Sequence, residues 1–308
     1  MLLKELFLNI ASAIRIKDGT IELINATDFP QRILDIPSRE DTLEELFAET
    51  LENYQNNDIT KLPVYAFYKN TGIKKAILNN VDTVDVINTR NNYSFNGCEN
   101  LEEISLEKLT VLSNYTFQNC KKLTRINLPN IKSFNSGSQS YGYTFNNVGT
   151  DSTERFKLIL PNLNSIGINR GIFEGCGASV ISLPRMTGAT GYSDCFKECN
   201  AEIIDLGSSI AMYASTFTNA KKLKTLIIRK SSVLSVVNLS MFTGTPFATD
   251  GSGGKIYVPK SLIETYQNAT NWSVLYNAGT LEIKALEDSI YADLDWANDF
   301  DVSALEVD

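Results

Sequence analysis

The fold is decided by the stretch Thr116-Phe117-Gln118-Asn119-Cys120-Lys121-Lys122-Leu123-Thr124-Arg125-Ile126-Asn127-Leu128-Pro129. Near its end Ile126 and Leu128 alternate with the polar Asn127, which is the pattern of a strand with one buried face. Pro129 has no backbone N–H to donate to a sheet, so we expect it to end the strand. The stretch therefore predicts a short strand closed by a turn.

Two further segments complete this unit. Ile131 and Phe134 predict a second short extended segment after the proline. Phe117 and Cys120 lie three residues apart, and one helical turn would place both side chains inward. Asn119, beside the cysteine, is expected to cap unpaired backbone groups with its side chain.

The unit recurs along the chain when segments are aligned on its first aromatic residue. Successive marker phenylalanines are 28, 22, 28, 28, 23, 21 and 25 residues apart, a mean of 25. This period falls within the ~20–29 residues of a leucine-rich repeat. The eight markers are Phe67, Phe95, Phe117, Phe145, Phe173, Phe196, Phe217 and Phe242.

A unit of this size cannot bury its own apolar face. Stacked on its neighbours it can, and each buried Phe or Leu then contributes ~1.5–3 kcal/mol. The fold we predict is a repeat solenoid of about eight units. It is mainly β with short helical turns, and it carries α-helical caps at both ends.

The position three residues after each marker is expected to be a small buried slot. Four of the five cysteines occupy it, and Asn70, Val148, Ala220 and Thr245 fill it elsewhere. Buried thiols of this kind are usually inert. The paired motifs of a zinc site are absent, and we do not expect a Cys195–Cys199 disulfide. The predicted repeat core comprises Phe95, Cys98, Phe117, Cys120, Phe145, Phe173, Cys176, Phe196, Cys199 and Phe217.

Histidine is absent from the 308 residues. Its absence removes the commonest general base and the usual activator of a Ser or Cys nucleophile. We therefore expect a protein that is not an enzyme and has no cofactor. A glycosidase that uses only carboxylates stays open as the least favoured alternative, because it needs no histidine.

The net charge of −8 comes from one end of the chain. Residues 285–308 hold eight acidic residues and no Lys or Arg, so the remaining 284 residues carry 28 acids against 28 bases. Nothing in that balance builds the basic stripe that a phosphate backbone requires, and we expect no nucleic-acid partner.

Four acids of this tail are weak candidates for a metal site, but the spacing and glycine of a calcium loop are missing. Trp296 and Phe300 are interleaved with them, which favours a tail that packs on its own solenoid or on a neighbouring subunit. Both are candidate partner-binding residues. The four acids are Asp293, Asp295, Asp299 and Asp301.

Two insertions interrupt the stack, and one of them is rich in Tyr, Ser and Gly. It contains Tyr141 and Tyr143. Insertions in repeats often lie on the binding face, and Tyr-Ser-Gly composition suits recognition loops. We therefore take both tyrosines as candidate partner-binding residues.

The Phe-x-x-Cys-x-x-Leu-x-x-Ile-x-Leu-Pro pattern that begins at Phe117 resembles the BspA-like, bacterial surface-antigen type of leucine-rich repeat. The resemblance covers roughly residues 58–258. Near the N-terminus, Asn9-Ile10-Ala11-Ser12-Ala13-Ile14-Arg15 and the following Lys17-Asp18-Gly19-Thr20 turn look like the helical hairpin of many phage and prophage proteins. That likeness implies an attachment module, with a simple cap for the solenoid as the alternative.

The chain divides into five predicted segments. The hairpin spans 1–37, a short helix and the entry to the solenoid span 38–57, and the repeats span 58–258. A C-terminal cap spans 259–284, with a helix from Ser261 to Asn271, and the acidic aromatic tail spans 285–308. The expected last strand of the repeats is Lys255-Ile256-Tyr257-Val258.

Our leading hypothesis is a phage or prophage virion component of the tail or baseplate, which presents the repeats for host recognition. Its partners would be other virion proteins or copies of this chain in a symmetric assembly, with a host surface protein or carbohydrate as target. The alternative is a bacterial cell-surface adhesion protein. The N-terminus lacks the hydrophobic region typical of a signal peptide, and no stretch is long enough to span a membrane. We therefore expect assembly in the bacterial cytoplasm.

Overall fold

The computed structural model describes residues 52–87, 91–135, 142–167, 170–188, 193–209, 211–236 and 238–304. The predicted segment 1–37 and most of 38–57 lie outside these residues. The chain winds as a parallel β-solenoid, and this confirms the predicted repeat fold. Its strands are short because each repeat contributes only three to five residues to the main sheet.

The main face of the solenoid consists of two parallel sheets. The first four strands pair in the order β1 (Asn53–Gln55), β3 (Lys75–Ile77), β5 (Glu103–Ser105) and β7 (Arg125–Asn127). The second sheet has the order β9 (Lys157–Ile159), β10 (Val180–Ser182), β11 (Ile203–Asp205), β13 (Thr225–Ile227), β15 (Gly254–Val258) and β16 (Leu281–Ala285). The first sheet thus begins at Asn53, inside the segment that we assigned to the solenoid entry.

A second face carries short extended segments, as predicted for Phe134. They form two-residue parallel pairs between neighbouring repeats. The pairs are β2 (Lys61–Leu62) with β4 (Thr83–Val84), β6 (Val111–Leu112) with β8 (Ser133–Phe134), and β12 (Ala211–Met212) with β14 (Ser235–Val236).

The marker phenylalanines form one continuous stack through the core. Neighbouring rings from Phe67 to Phe242 are stacked, with centroids 4.9–5.6 Å apart. Each ring belongs to a different repeat, so every repeat buries its Phe against the rings above and below it. This is the nearest-neighbour burial that lets small units fold together.

The turn around each marker differs from our prediction in two respects. The Cys120 N–H donates to the Phe117 carbonyl at 3.1 Å and closes a tight turn. Asn119, between them, has φ 61°. A left-handed residue stops a right-handed helix, so a single turn replaces the predicted helical segment at this marker. The predicted backbone cap is also wrong, because the Asn119 Oδ1 accepts from the Asn147 Nδ2 at 3.0 Å instead.

Between the two sheets lies a break. In the described part of the chain β7 and β9 are not paired, and 29 residues separate Asn127 from the end of the intervening insertion at Phe156. The Phe stack continues across it, since Phe145 lies 5.6 Å from both Phe117 and Phe173. Phe134 packs edge-on against Phe145 and Phe173, at 6.1 and 6.4 Å. Aromatic side chains therefore join two blocks whose main sheets are separate, together with backbone hydrogen bonds such as that from the Phe117 N–H to the Thr144 carbonyl at 3.1 Å.

The C-terminal cap is broken where we predicted one helix. A 3-10 helix (Lys260–Leu262) leads into α1 (Ile263–Asn268), and α2 (Trp272–Asn277) follows. The extended backbone of Ala269, at ψ 145°, ends the first helix, and Asn271, at φ 68°, reorients the chain before the second. Trp272 closes the core, with its indole N–H donating to the Leu234 carbonyl at 2.8 Å. The chain then re-enters the sheet as β16, a strand that we had placed within the helical cap.

Candidate functional site

The ten predicted core residues are all buried, each at most 1% exposed. The five cysteines are free, so Cys195 and Cys199 form no disulfide. Burial raises the pKa of all five thiols, and those of Cys176 and Cys199 reach about 12. The thiols therefore stay protonated at neutral pH and offer neither a nucleophile nor a metal ligand.

Two of the four acidic tail residues that we weighed as metal ligands, Asp295 and Asp301, accept hydrogen bonds within local turns. The Asp295 carboxylate accepts from the Asn298 Nδ2 at 2.9 Å and from the Ala297 N–H at 3.0 Å, and both lower its pKa. Asp301 accepts from the Ser303 N–H at 2.8 Å, and that contact lowers its pKa. Among the described residues no group of three or more His, Cys, Asp or Glu side chains could hold a metal ion.

A row of tyrosines lies on the surface of the first repeats, the first three rings stacked and the fourth tilted. Ring centroids are 5.2 Å apart for Tyr65–Tyr93, 4.8 Å for Tyr93–Tyr115 and 6.0 Å for Tyr115–Tyr143. All four rings are half-buried. We call these four residues the tyrosine ladder. It includes Tyr143, one of the predicted partner-binding residues, whereas Tyr141 lies outside the described residues.

Side-chain amides run beside the ladder. Tyr68, one residue after its marker, packs edge-on against Tyr65 at 5.2 Å, which shows that this repeat position adjoins the ladder. The next repeats place Asn96, Gln118 and Asn146 there. Asn96 Nδ2 donates to Gln118 Oε1 at 2.8 Å, and Gln118 Nε2 donates to Asn146 Oδ1 at 3.2 Å. We call these three residues the amide row, and the two rows together the tyrosine–amide strip.

The ladder tyrosines occupy a backbone conformation that suits glycine. Their φ angles are 62°, 60°, 64° and 43° along the chain. Later repeats have Gly171, Asp194 and Ser215 at this position, also with positive φ, so the repeat itself imposes the conformation. A left-handed residue other than glycine costs ~1–2 kcal/mol, whereas a stacked ring pair contributes ~0.5–1.5 kcal/mol. Four such residues cost ~4–8 kcal/mol and three ring pairs return ~1.5–4.5 kcal/mol, so ring stacking alone does not account for tyrosine here.

The strip ends where the ladder meets Gly171. A Cβ at Gly171 would lie 2.7 Å from the Tyr143 Cε1, so this glycine makes room for the last ring. The amide row ends in the same repeat, since Asn146 Nδ2 donates to the Glu174 carbonyl and the Glu174 carboxylate pairs with Lys197 at 3.0 Å. The ladder therefore covers four repeats, and the amide row covers the last three of them.

The strip itself is neutral. Burial raises the pKa of Tyr93 and Tyr115, so both phenols remain protonated hydrogen-bond donors at neutral pH. The sequence held a signal for the ladder that we did not use. Four consecutive repeats read Tyr-x-Phe at the marker, at Tyr65, Tyr93, Tyr115 and Tyr143.

The acidic aromatic tail lies on the chain's own solenoid, which is one of the two arrangements that we left open. Trp296 is 2% exposed and Phe300 is half-buried, both packed against the outer face of the second sheet. Trp296 is therefore not available to another molecule while the tail lies there, and Phe300 is only partly accessible. Strands with apolar residues on both faces, such as Val180-Ile181 and Ile203-Ile204, were the sequence signal for such a cover.

No helix in the described part of the chain combines the length and apolarity that membrane crossing demands. No curated protein matches the sequence. Among solved structures, the chain is similar to a leucine-rich repeat protein from Bacteroides ovatus, with 17% identity and a TM-score of 0.35. That match covers 74% of this chain, which spans 65% of the Bacteroides chain.

A second similar structure is a leucine-rich cell-surface protein from Faecalibacterium prausnitzii. It has 13% identity and a TM-score of 0.29, and the match covers 75% of this chain and 78% of the other. At the level of sequence families, residues 49–153 and 141–269 match the BspA type leucine-rich repeat region, in six copies. With most of its length matched and the repeats in register, the chain belongs to the BspA type leucine-rich repeat family.

Proposed function

We propose that this chain is a non-enzymatic adhesion protein of the bacterial cell surface, and that it binds a protein partner along the tyrosine–amide strip. The observation that carries the proposal is the tyrosine ladder, four neighbouring rings held at positive φ at a cost that their stacking does not offset. Repeat solenoids present extended binding surfaces of this kind.

The chemistry of the strip suits an extended protein segment. Tyrosine is enriched among the residues that dominate binding energy at protein interfaces, and it loses little conformational entropy on binding. Rings already fixed by stacking lose less still. The amide row beside the rings supplies hydrogen-bond donors and acceptors, and the lack of charge in the strip favours a partner segment without a high net charge.

The decisive variant changes Tyr93→Ser and Tyr115→Ser together. Ser215 already occupies the equivalent position in a later repeat at φ 62°, so the backbone accepts serine there. Beads coated with the purified full chain are applied to monolayers of cultured epithelial cells, and adherent beads are counted. Loss of two aromatic anchors should weaken binding at least ~30-fold, since each central anchor is typically worth ~2 kcal/mol or more.

Tyr276→Ser is the matched control, because Tyr276 is 40% exposed on α2 and lies outside the strip. It should bind as the unaltered chain does. Treating the cell layer with a protease should abolish binding, whereas treatment with glycosidases should leave it unchanged. Equal adherence of the double variant and the control would refute the role of the strip, and loss after glycosidase alone would identify a glycan in place of a protein.

A virion role remains a prediction based on the resemblance of the N-terminal segment to phage proteins. That segment lies outside the described residues, and the family match begins at residue 49. Mass spectrometry of purified virions tests the prediction directly, together with assembly of the chain with itself or with tail proteins. Labelling of intact bacterial cells with an antibody against the repeats tests the surface location that we propose.

A further inference from the structure

The outer face of the second sheet differs from that of the first. In the first sheet the outward positions are mainly polar, with Lys75, Glu103 and Arg125 joined by ion pairs across the strands. In the second sheet Val180, Ile203 and Ile227 point outwards and form a separate apolar cluster. Such a patch on a sheet face requires a cover.

The cover is the segment Leu286–Ala304, which we call the tail. In the described part of the tail the only regular element is a 3-10 helix (Val302–Ala304). Its aromatic residues stack on one another, with Trp296 5.8 Å from Tyr291 and 5.0 Å from Phe300. Because the tail has so little regular secondary structure, its conformation depends on its contacts with the second sheet.

Two basic side chains of the sheet hold the tail by its backbone. The Lys157 Nζ donates to the carbonyls of Trp296, Ala297 and Phe300, at 2.8, 3.2 and 2.6 Å. The Arg229 guanidinium donates to the carbonyls of Tyr291 and Ala292, at 2.8 and 2.9 Å. Five backbone contacts of this kind would be open to any peptide of the same shape. Lys157 interacts electrostatically with Asp295 and Asp301 of the tail, whereas the charge of Arg229 is paired with Asp205.

A buried carboxylate anchors the aromatic residue. Asp205 is fully buried and accepts from the Trp296 Nε1 at 3.0 Å and from Arg229 at 2.9 Å. In the register-paired position of the next strand, Ser182 is fully buried and its hydroxyl has no hydrogen-bond partner among the described residues. The tail therefore leaves one polar group of this face unsatisfied, which a better-fitting ligand would satisfy.

We propose that the outer face of the second sheet is a peptide-binding groove whose resident ligand is the tail. Its ligand class is an acidic peptide that carries a buried Trp, a second aromatic residue four positions later, and carbonyls placed for Lys157 and Arg229. This site is separate from the tyrosine–amide strip, and it does not depend on the proposed adhesion. An external peptide of this class would have to displace the tail, whose short connection to β16 gives it a millimolar effective concentration.

The test uses the full chain with Trp296→Ala, which weakens the tail and leaves the groove residues in place. The probe is a fluorescent synthetic peptide with the sequence of residues 286–304. Buried Trp anchors are typically worth ~2 kcal/mol or more, so the variant should bind the peptide at least ~30-fold more tightly than the unaltered chain does. A peptide in which the same Trp is replaced by Ala is the matched control, and it should not bind either chain.

A folded Trp296→Ala chain that takes up no peptide at millimolar concentration would overturn the proposal. If that variant loses its fold, a second form of the chain decides the question. It carries a protease site inserted after Asp288, an exposed residue, and is cut after folding. The groove is established if the cut chain keeps its circular dichroism and exchanges the released fragment for labelled peptide. If the fragment does not exchange, or if its departure unfolds the repeats, the tail is part of the core and the proposal is wrong.

Discussion

Phe145→Ala should divide the solenoid into two independently unfolding blocks. Phe145 is the ring that continues the core stack where β7 and β9 are not paired, 5.6 Å from the ring on each side. Its loss costs ~3–5 kcal/mol, as for other buried Phe→Ala changes, and that loss falls on the junction between the blocks. In a nearest-neighbour system the weakened junction lets each block unfold at its own stability.

The chain provides a convenient assay for this separation. Its only two tryptophans, Trp272 and Trp296, both belong to the second block, whereas far-ultraviolet circular dichroism reports on both blocks. Urea unfolding followed by the two signals should coincide for the unaltered chain and separate for Phe145→Ala. Phe217→Ala is the control, because Phe217 lies within the paired second sheet and should shift both signals together. Coincident curves for Phe145→Ala would refute the reasoning.

Burial raises the pKa of the Cys176 and Cys199 thiols from about 9 to about 12, so the folded chain resists their ionisation. The stability that comes from the protonated thiols should be fully present below about pH 9 and should fall above it, by roughly 1 kcal/mol per pH unit for each thiol. Melting temperatures measured between about pH 8 and about pH 11 check this. The Cys176→Ala variant should show a shallower fall. Gly149→Ala should destabilise the chain by ~1–3 kcal/mol in urea unfolding, because φ is 71° and the new Cβ would lie 2.4 Å from the Phe156 ring; an unchanged midpoint would contradict this. Ser182→Ala should raise the stability by up to ~1–3 kcal/mol, since it removes an unsatisfied buried hydroxyl, and a drop in the urea midpoint would show that the hydroxyl has a partner.

The repeats could be predicted from the sequence because their burial is local. Phe117 and Cys120 face a core built by the adjoining units, so the spacing of apolar residues contains most of the information. The cap was harder to predict. Ala269 and Asn271 together separate two helices in a segment that the sequence suggested was one helical cap, and β16 lies at the end of that segment, where no strand was predicted.

The candidate sites depend on three-dimensional contacts that the spacing of residues in the sequence does not predict. The tyrosine ladder is visible as Tyr-x-Phe in four repeats, yet its stacking and positive φ appear only in three dimensions. The tail was predicted to pack on something, but its docking site joins Lys157 to Trp296, which are 139 residues apart. No local pattern specifies a contact over that distance, and only the apolar outward positions of the second sheet indicated it.

Because the tail lies on the second sheet only, duplication or deletion of a repeat has different consequences in the two sheets. A repeat added within the first sheet would contact only its two neighbouring repeats and would lengthen the sheet by one strand. A unit added between β9 and β13 would shift Lys157 relative to Arg229, and the tail could no longer reach the backbone contacts with both. The number of repeats in the first sheet can therefore change during evolution. The number of repeats between Lys157 and Arg229 is fixed, because the tail must contact both residues.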